Sequence, residues 1–454
     1  MRKGYNLARV QVQQTIAELK EDGQQQAKFV PYDQLASYQF KNRDSLRIMG
    51  RVREMLIPEL IPLRNQRMLA SKFAFFRGSV ELMDYDLVHG TNTGLPAIIC
   101  GDAHIGNFGF FASPERQLLF DLNDFDEAGI NFWEWDLKRL LVSILLAGEN
   151  NGFDADKLAK LLLKTSKEYR KGLQNVFEIS ALDRYYPKHS INQLITVVDD
   201  DDNRELLQKI IAKAQEHNSE QVVAKFTETD KMGRTFFKEN APKSVRPKNA
   251  VIKQLTKQFA QYRATVRPDV ALLLSSYHFT DVIRHSVGVG SFGTLCYLIL
   301  LTNIDGSHLV LQVKEALPAR KLRATNHASL TLELEASQGQ RIIDCQKILQ
   351  SASDPFLGYF QTQNKSFYVR QFRDMKESID LTKLNWQQFK TYVKTCALIL
   401  ANAHSQSPRS AAILGYVAAG KAFDEAIATW AKSYVQQVSA DYAVFQNEFG
   451  KAQG

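Results

Sequence analysis

The periodicity of this chain changes late, and that change limits its architecture more than any other feature. Across 137 to 180, apolar residues recur at helical spacing, as in "DLKRLLVSILLAG" and "DADKLAKLLLKTSKEYRKGL". Asp and Glu near the starts of these runs suit helix N-termini. From residue 285, "HSVGVGSFGTLCYLILLTNIDGSHLVLQVKEA" carries β-branched and aromatic runs joined through the turn-type cluster "NIDGS". That pattern predicts an antiparallel hairpin. A helix is expected at roughly 328 to 351 and a strand at 365 to 372, and the remaining C-terminal residues return to helical spacing.

The expected fold class is therefore α+β. A chain of 454 residues exceeds a single core. We divide it into a large helical lobe (1–275), a small β-rich antiparallel lobe (276–375) and C-terminal helices (376–454) that rejoin the first lobe. Residues 1 to about 95 read as helical. Residues 190 to 275 read as polar and mostly helical, broken at "DDDDN" (199–203) and "ENAPKSVRPKN" (239–249).

Several classes of protein are disfavoured. The longest apolar run, "LCYLILL" at 295 to 301, is far short of the ~20 residues a membrane span needs. The N-terminus has charge but no apolar core of a signal peptide. Cys100, Cys296, Cys345 and Cys396 lie far apart without a CxxC pair, which argues against zinc and against a disulfide framework and suits a reducing cytoplasm. The net charge of +8 is dispersed, with no basic block of the kind that binds nucleic acid.

Two segments place polar residues directly behind apolar strands. In "IICGDAHIGNFGFF" (98–111), Asp102 and Asn107 stand in the spacing D-x-x-x-x-N. This is the catalytic-loop spacing of kinases, where the Asp accepts the substrate hydroxyl proton and the Asn holds Mg²⁺. The plain alternative is a hairpin with Asp and Asn as turn formers. A metal site needs a further carboxylate, and "LLFDLNDFDE" offers it through Asp121 or Asp124.

"CGDAHIGNFG" followed by "FDLNDFDEAGINFWEWDLKRL" resembles the pattern of aminoglycoside and choline kinases. That pattern runs H-G-D-x-x-x-x-N, then an I-D-F-type strand end, then a helix opening with Asp. Its metal Asp and helix-start Asp lie about 12 residues apart, as Asp124 and Asp136 do here. The resemblance thus implies Asp102 as catalytic base, Asn107 and Asp124 as metal ligands, Asp121 in reserve, and Asp136 as a structural anchor. The family's His before Gly-Asp is Cys100 here.

"GVGSFG" (288–293) is G-x-G-x-x-G, but strand-like residues follow it, so a Rossmann reading fails. A kinase glycine loop instead joins two antiparallel strands and closes over phosphates. On this reading Gly288, Gly290, Ser291 and Gly293 hold the triphosphate of ATP. Lys314, in "LVLQVKEA" and 21 residues beyond Gly293, matches the V-A-I-K lysine. The plain alternative for Lys314 is an edge-strand lysine that blunts aggregation. Its carboxylate partner is expected on the next helix, where Glu333, Glu335 and Asp344 are available and Glu335 is preferred. "SFYVRQF" with the following "RDMK" is the expected adenine-docking hinge.

In ordinary kinases the glycine loop and lysine precede the catalytic Asp; here they follow it. The implied fold is a circularly permuted protein-kinase-like fold, which is permissible because chain ends can fall anywhere on a surface. The order, with "FAFFRG", "GVGSFGT", "LQVKEA", "GQRIIDCQKILQSASD" and "YVRQFRDMK", is similar to the bacterial family known as domain of unknown function 2252, over about 50 to 440.

The expected activity is ATP- and Mg²⁺-dependent phosphoryl transfer to a hydroxyl of a small-molecule acceptor. AMP transfer to a protein hydroxyl and non-catalytic nucleotide binding stand as alternatives. Arg77, behind three aromatics, suits either an anion or a cation–π anchor. His104 suits loop support or a phosphate contact. His404, Trp133 and Trp135 read as packing residues, and Asp199 to Asp202 as a solvated loop and helix cap.

Overall fold

The protein is an α+β molecule, and among the described residues every strand pair is antiparallel. The structure, a computed structural model, describes residues 14–40, 42–186, 205, 207–212, 219–286, 293–318, 337–372 and 377–450. Helices occupy most of the described residues up to Val88. Four short strands follow: β1 (Pro96–Ile99), β2 (Phe108–Ala112), β3 (Leu118–Leu122) and β4 (Gly129–Phe132). β1 pairs with β4 and β2 pairs with β3, so the segment 100–128 is folded back twice between neighbouring ribbons. Two polar loops leave these ribbons, one before β2 and one after β3.

The largest core surrounds the helix Glu134–Asn150, whose residues from Glu134 to Gly148 are all buried. Buried on every side, such a helix needs apolar neighbours all round. The helices Ala155–Glu178, Trp386–Ser405 and Lys421–Phe449 supply them. The helix Trp386–Ser405 begins with a capping box in which Asn385 and Gln388 satisfy each other's free amides. Among the described residues no helix is long and apolar enough to cross a membrane.

The stretch 219–275 departs from the helical expectation. It holds β5 (Thr227–Thr229), β6 (Thr235–Phe237) and β7 (Ser244–Val245) besides the helices Ser219–Phe226, Asn249–Arg263 and Pro268–Leu274. Strands of two or three residues are too short to show a period of two, so polarity alone suggested helix there. β7 caps the six-stranded sheet β11-β12-β10-β9-β8-β7. The other strands are β8 (Tyr277–His285), β9 (Cys296–Asn303), β10 (His308–Ala316), β11 (Gly358–Gln361) and β12 (Ser366–Gln371). β9 and β10 form the expected hairpin, turning at Gly306 with φ +85°.

Alternation sorts the two faces of this sheet. Tyr297, Ile299, Leu301, Leu309, Leu311, Val313, Phe367 and Val369 pack beneath the helices Asn249–Arg263 and Pro268–Leu274. On the other face, Leu298, Leu300 and Val310 meet Val222, Val223 and Phe372. Farther along that second face the apolar residues give way to polar ones. The expected helix at 328–351 lies partly outside the described residues; within them the helix Gln338–Leu349 packs on β10, β11 and β12 and also on β1 and β4. It thereby joins the sheet to the helical core.

Candidate functional site

The loop that opens with Gly101 is set by backbone hydrogen bonds. Asp136 accepts from the amides of Cys100 at 2.8 Å and Gly101 at 3.0 Å. Its orientation is fixed in turn by the His404 ring, 3.3 Å away, whose other nitrogen meets the Tyr169 hydroxyl at 2.7 Å. Gly101 has φ +79°, and a Cβ there would collide with the backbone of Glu127. The glycine thus lets the first polar loop lie directly against the second.

Asp102 follows. Its carboxylate receives Arg139 Nε at 2.8 Å and keeps 20% of its side-chain surface exposed. Burial raises the Asp102 pKa, Arg139 and His104 lower it, and the balance falls below the ordinary carboxylate value. Asp102 is therefore ionised at neutral pH. His104 is pushed the other way, chiefly by burial, to about 3, so its ring is neutral there. Asn107 donates its side-chain amide to two carbonyls, Asp102 at 3.0 Å and Asp124 at 2.9 Å. With the nitrogen committed to both loops, the amide oxygen remains as an acceptor.

The second loop divides its acids among different tasks. Asp121 is buried on β3, where it accepts from Leu122 N at 2.8 Å, Ser351 N at 2.9 Å and Ser351 Oγ at 2.8 Å. It holds the segment after the helix Gln338–Leu349 rather than facing open space. Asp124, three residues on, keeps 47% of its side chain exposed. Asp126 accepts from the Tyr368 hydroxyl at 2.7 Å and is paired directly with Lys314. Arg341, buried, donates to the carbonyls of Ala128, Asp126 and Leu317 and so clamps the acidic turn against the end of β10.

Lys314 comes from the polar part of the sheet's second face. Its neighbours across the strands are Cys296 on β9 and Tyr368 on β12. The next row on the same face contains Gln312 and Arg370, joined by an Arg370 Nε bond of 2.7 Å. Lys314 Nζ touches Asp126 and lies 3.8 Å from Asp124 Oδ1. Burial lowers its pKa, but Asp124 and Asp126 more than offset this, and the net shift is well upward. A lysine from β10 and an acidic turn far earlier in the chain therefore meet.

Between them lies a cavity of about 740 Å³, lined among others by Arg77, Asn107, Asp124, Gln312, Lys314 and Arg370. That volume is within the usual range for small-molecule sites. Leu273, Pro355, Phe356 and Phe372 give it apolar wall as well.

Of the residues expected from sequence, Asn107, Asp124 and Lys314 share this cavity, and Asp102 adjoins it through the Asn107 bond. Asp121 does not line it. Gly288, Gly290, Ser291, Glu335 and the "RDMK" residues lie outside the described residues, as do Glu333 and Asp199 to Asp202. Gly293 has φ +115°, packs on Leu56 and accepts from Ile57 N at 2.7 Å, away from the cavity lining. Among the described residues the carboxylates on Lys314 are Asp126, in direct contact, and Asp124 at 3.8 Å. Asp126, Gln312 and Arg139 were not chosen from sequence, and Tyr368 and Arg370 were named only as part of the "SFYVRQF" hinge. Alternation from Lys314 and within "SFYVRQF" was the signal that could have found Gln312, Tyr368 and Arg370.

The family described as "Uncharacterized protein conserved in bacteria (DUF2252)" matches residues 53–448. The chain belongs to this family. No curated protein and no solved structure matches it. The DUF2252 match extends from the helix Ser45–Arg53 to the end of the helix Lys421–Phe449, and so takes in both polar loops, the six-stranded sheet and the cavity between them.

Proposed function

We propose that this protein is an ATP- and Mg²⁺-dependent phosphotransferase acting on a hydroxyl of a small molecule, built on a circularly permuted kinase-like arrangement. The observation that carries the reading is the contact of Lys314 with the acidic turn at Asp124 and Asp126, at the wall of a cavity that also reaches Asn107. An ordered lysine, a polar loop with D-x-x-x-x-N spacing and an exposed carboxylate are the parts that phosphoryl transfer needs in one place.

Lys314 and Arg370 are the cations for the triphosphate. Asp102, ionised and held by Arg139, orients the acceptor hydroxyl and receives its proton as the oxygen attacks the γ-phosphorus and the bond to the ADP oxygen breaks. For the metal, the donor set consists of the Asp124 carboxylate and the Asn107 amide oxygen. Among the described residues no cluster of three acidic, His or Cys side chains could hold a metal alone. That fits Mg²⁺, which commonly uses one or two protein oxygens and takes the rest from phosphates and water. When bound, it would neutralise charge developing on the phosphate oxygens.

The test is incubation of the purified chain with γ-labelled or α-labelled ATP and a pool of hydroxylated metabolites. Label appearing in a small molecule from the γ-position alone is the expected result. Transfer from the α-position would replace this reading with nucleotidyl transfer. Absence of any Mg-ATP binding in a thermal-shift titration would remove it altogether.

A further inference from the structure

Three arginines approach the two polar loops, and two of them are fully engaged. Arg139 binds Asp102 and donates to the Phe76 carbonyl at 2.7 Å. Arg341 donates to three carbonyls. Arg77 differs. The helix Lys72–Gly78 carries it to the cavity wall, where its guanidinium carbon lies 5.7 Å from the centre of the Phe73 ring. Its Nε is buried and has no hydrogen-bond partner among the described residues. Burial lowers its pKa, and the nearby Asp102 offsets this only in part.

A buried donor without an acceptor costs about 1–3 kcal/mol, and more when charged, so a guanidinium at a cavity wall whose Nε lacks an acceptor calls for an explanation. The loop opposite comes close to this group. Gly106 presents no side chain to Arg77, and a Cβ there would stand 3.4 Å from both Cζ and Nε. Gly106 lies between Asp102 and Asn107, and Arg77, Gly106 and Asn107 line the same cavity, so the guanidinium stands beside the hydroxyl-orienting loop. The sheet's own cations, Lys314 and Arg370, are carried by different strands.

We propose that Arg77 binds an oxyanion carried by the acceptor, so that the substrate is a small hydroxylated molecule bearing a phosphate or a carboxylate. The acceptor role rests on the phosphotransferase reading; the oxyanion site itself does not. The planar fork of an arginine matches both groups bidentately, and anchoring one end of the acceptor turns its hydroxyl toward Asp102.

The experiment uses the full chain as wild type, R77Q and R77K. Each is titrated calorimetrically with inorganic phosphate and with acetate, before and after saturation with a magnesium complex of a non-hydrolysable ATP analogue. Wild type is expected to bind at least one oxyanion in both states, and the tighter one names the group. R77Q should bind it about tenfold or more weakly, and R77K at an intermediate strength. Affinity for the magnesium-nucleotide should stay within about twofold across the three.

The proposal is overturned if wild type binds neither oxyanion, or if R77Q binds them as wild type does. It is also overturned if R77Q loses nucleotide affinity in parallel, which would assign Arg77 to the triphosphate. Should R77Q fail to fold, phenylglyoxal footprinting of wild type decides: phosphate or acetate protects Arg77 from modification, or the site does not exist. Oxyanion binding through Arg77 in a chain that takes no nucleotide would keep the anion site and discard the phosphotransferase reading.

Discussion

Changing Lys314 to Met and Asp126 to Asn, singly and together, measures how strongly the six-stranded sheet is held to the acidic turn. Two unit charges 3.8 Å apart, the separation of Lys314 from Asp124, interact by about 4 kcal/mol at an effective dielectric of about 20. Exposure reduces that. Asp124 is 47% exposed and Asp126 27%, whereas Lys314 is 4% exposed. Asp126 is in direct contact and also receives the Tyr368 hydroxyl, so its share is larger. We expect a coupling of about 1–3 kcal/mol for Lys314 with Asp126 and less than about 1 kcal/mol for Lys314 with Asp124.

Urea unfolding of the four chains, followed by tryptophan fluorescence, gives the cycle. The reporters are well placed: Trp133, Trp135, Trp386 and Trp430 all lie outside the six-stranded sheet that carries Lys314. Their transition responds to Lys314→Met only if the sheet is docked on the helical part. The pH dependence follows from the raised lysine pKa. Its folded value is above the ordinary 10.5, so its contribution is complete below the unfolded value and is lost only as pH rises through the folded one. The coupling should therefore be equal at about pH 6 and about pH 8. A Lys314–Asp126 coupling under about 0.5 kcal/mol would refute the reasoning.

Gly101→Ala places a side chain at φ +79° against the Glu127 backbone, and we expect a loss of about 2–4 kcal/mol in urea unfolding. Asp121→Asn should lower stability by about 1–3 kcal/mol, because the Ser351 donors lose an acceptor, and leave Mg-ATP affinity unchanged in a calorimetric titration. Asp102→Asn should retain Mg-ATP binding and lose turnover by about 10²-fold or more in the labelled-ATP assay. His104 stays neutral in the fold down to about pH 3 while the unfolded chain protonates near its ordinary value. Stability should therefore fall as pH drops from about 6.5 to about 3, by up to about 1.4 kcal/mol per unit from this ring, and His104→Asn should flatten that slope in acid titrations of unfolding.

The parts of this molecule legible in the sequence are those whose determinants are local. The β9–β10 hairpin is written in two apolar runs and the turn at Gly306, and the C-terminal helices in their spacing and caps. Asn107 and Lys314 could be picked out because each stands in a short motif. The choice among Asp121, Asp124 and Asp126 is different in kind. All five residues of β3 are buried, so no alternation marks which way Asp121 points, and its exclusion from the cavity depends on Ser351, more than two hundred residues later. Asp124 and Asp126 differ by their position in a turn whose shape is imposed by Arg341, again from a distant helix. Arg77 stands out locally behind three aromatics, but that its Nε lacks an acceptor is a property of what surrounds it in three dimensions. A sequence motif names the chemistry available at a loop, whereas which carboxylate is tied into the structure and which is left at the cavity wall is decided by partners that the motif does not contain.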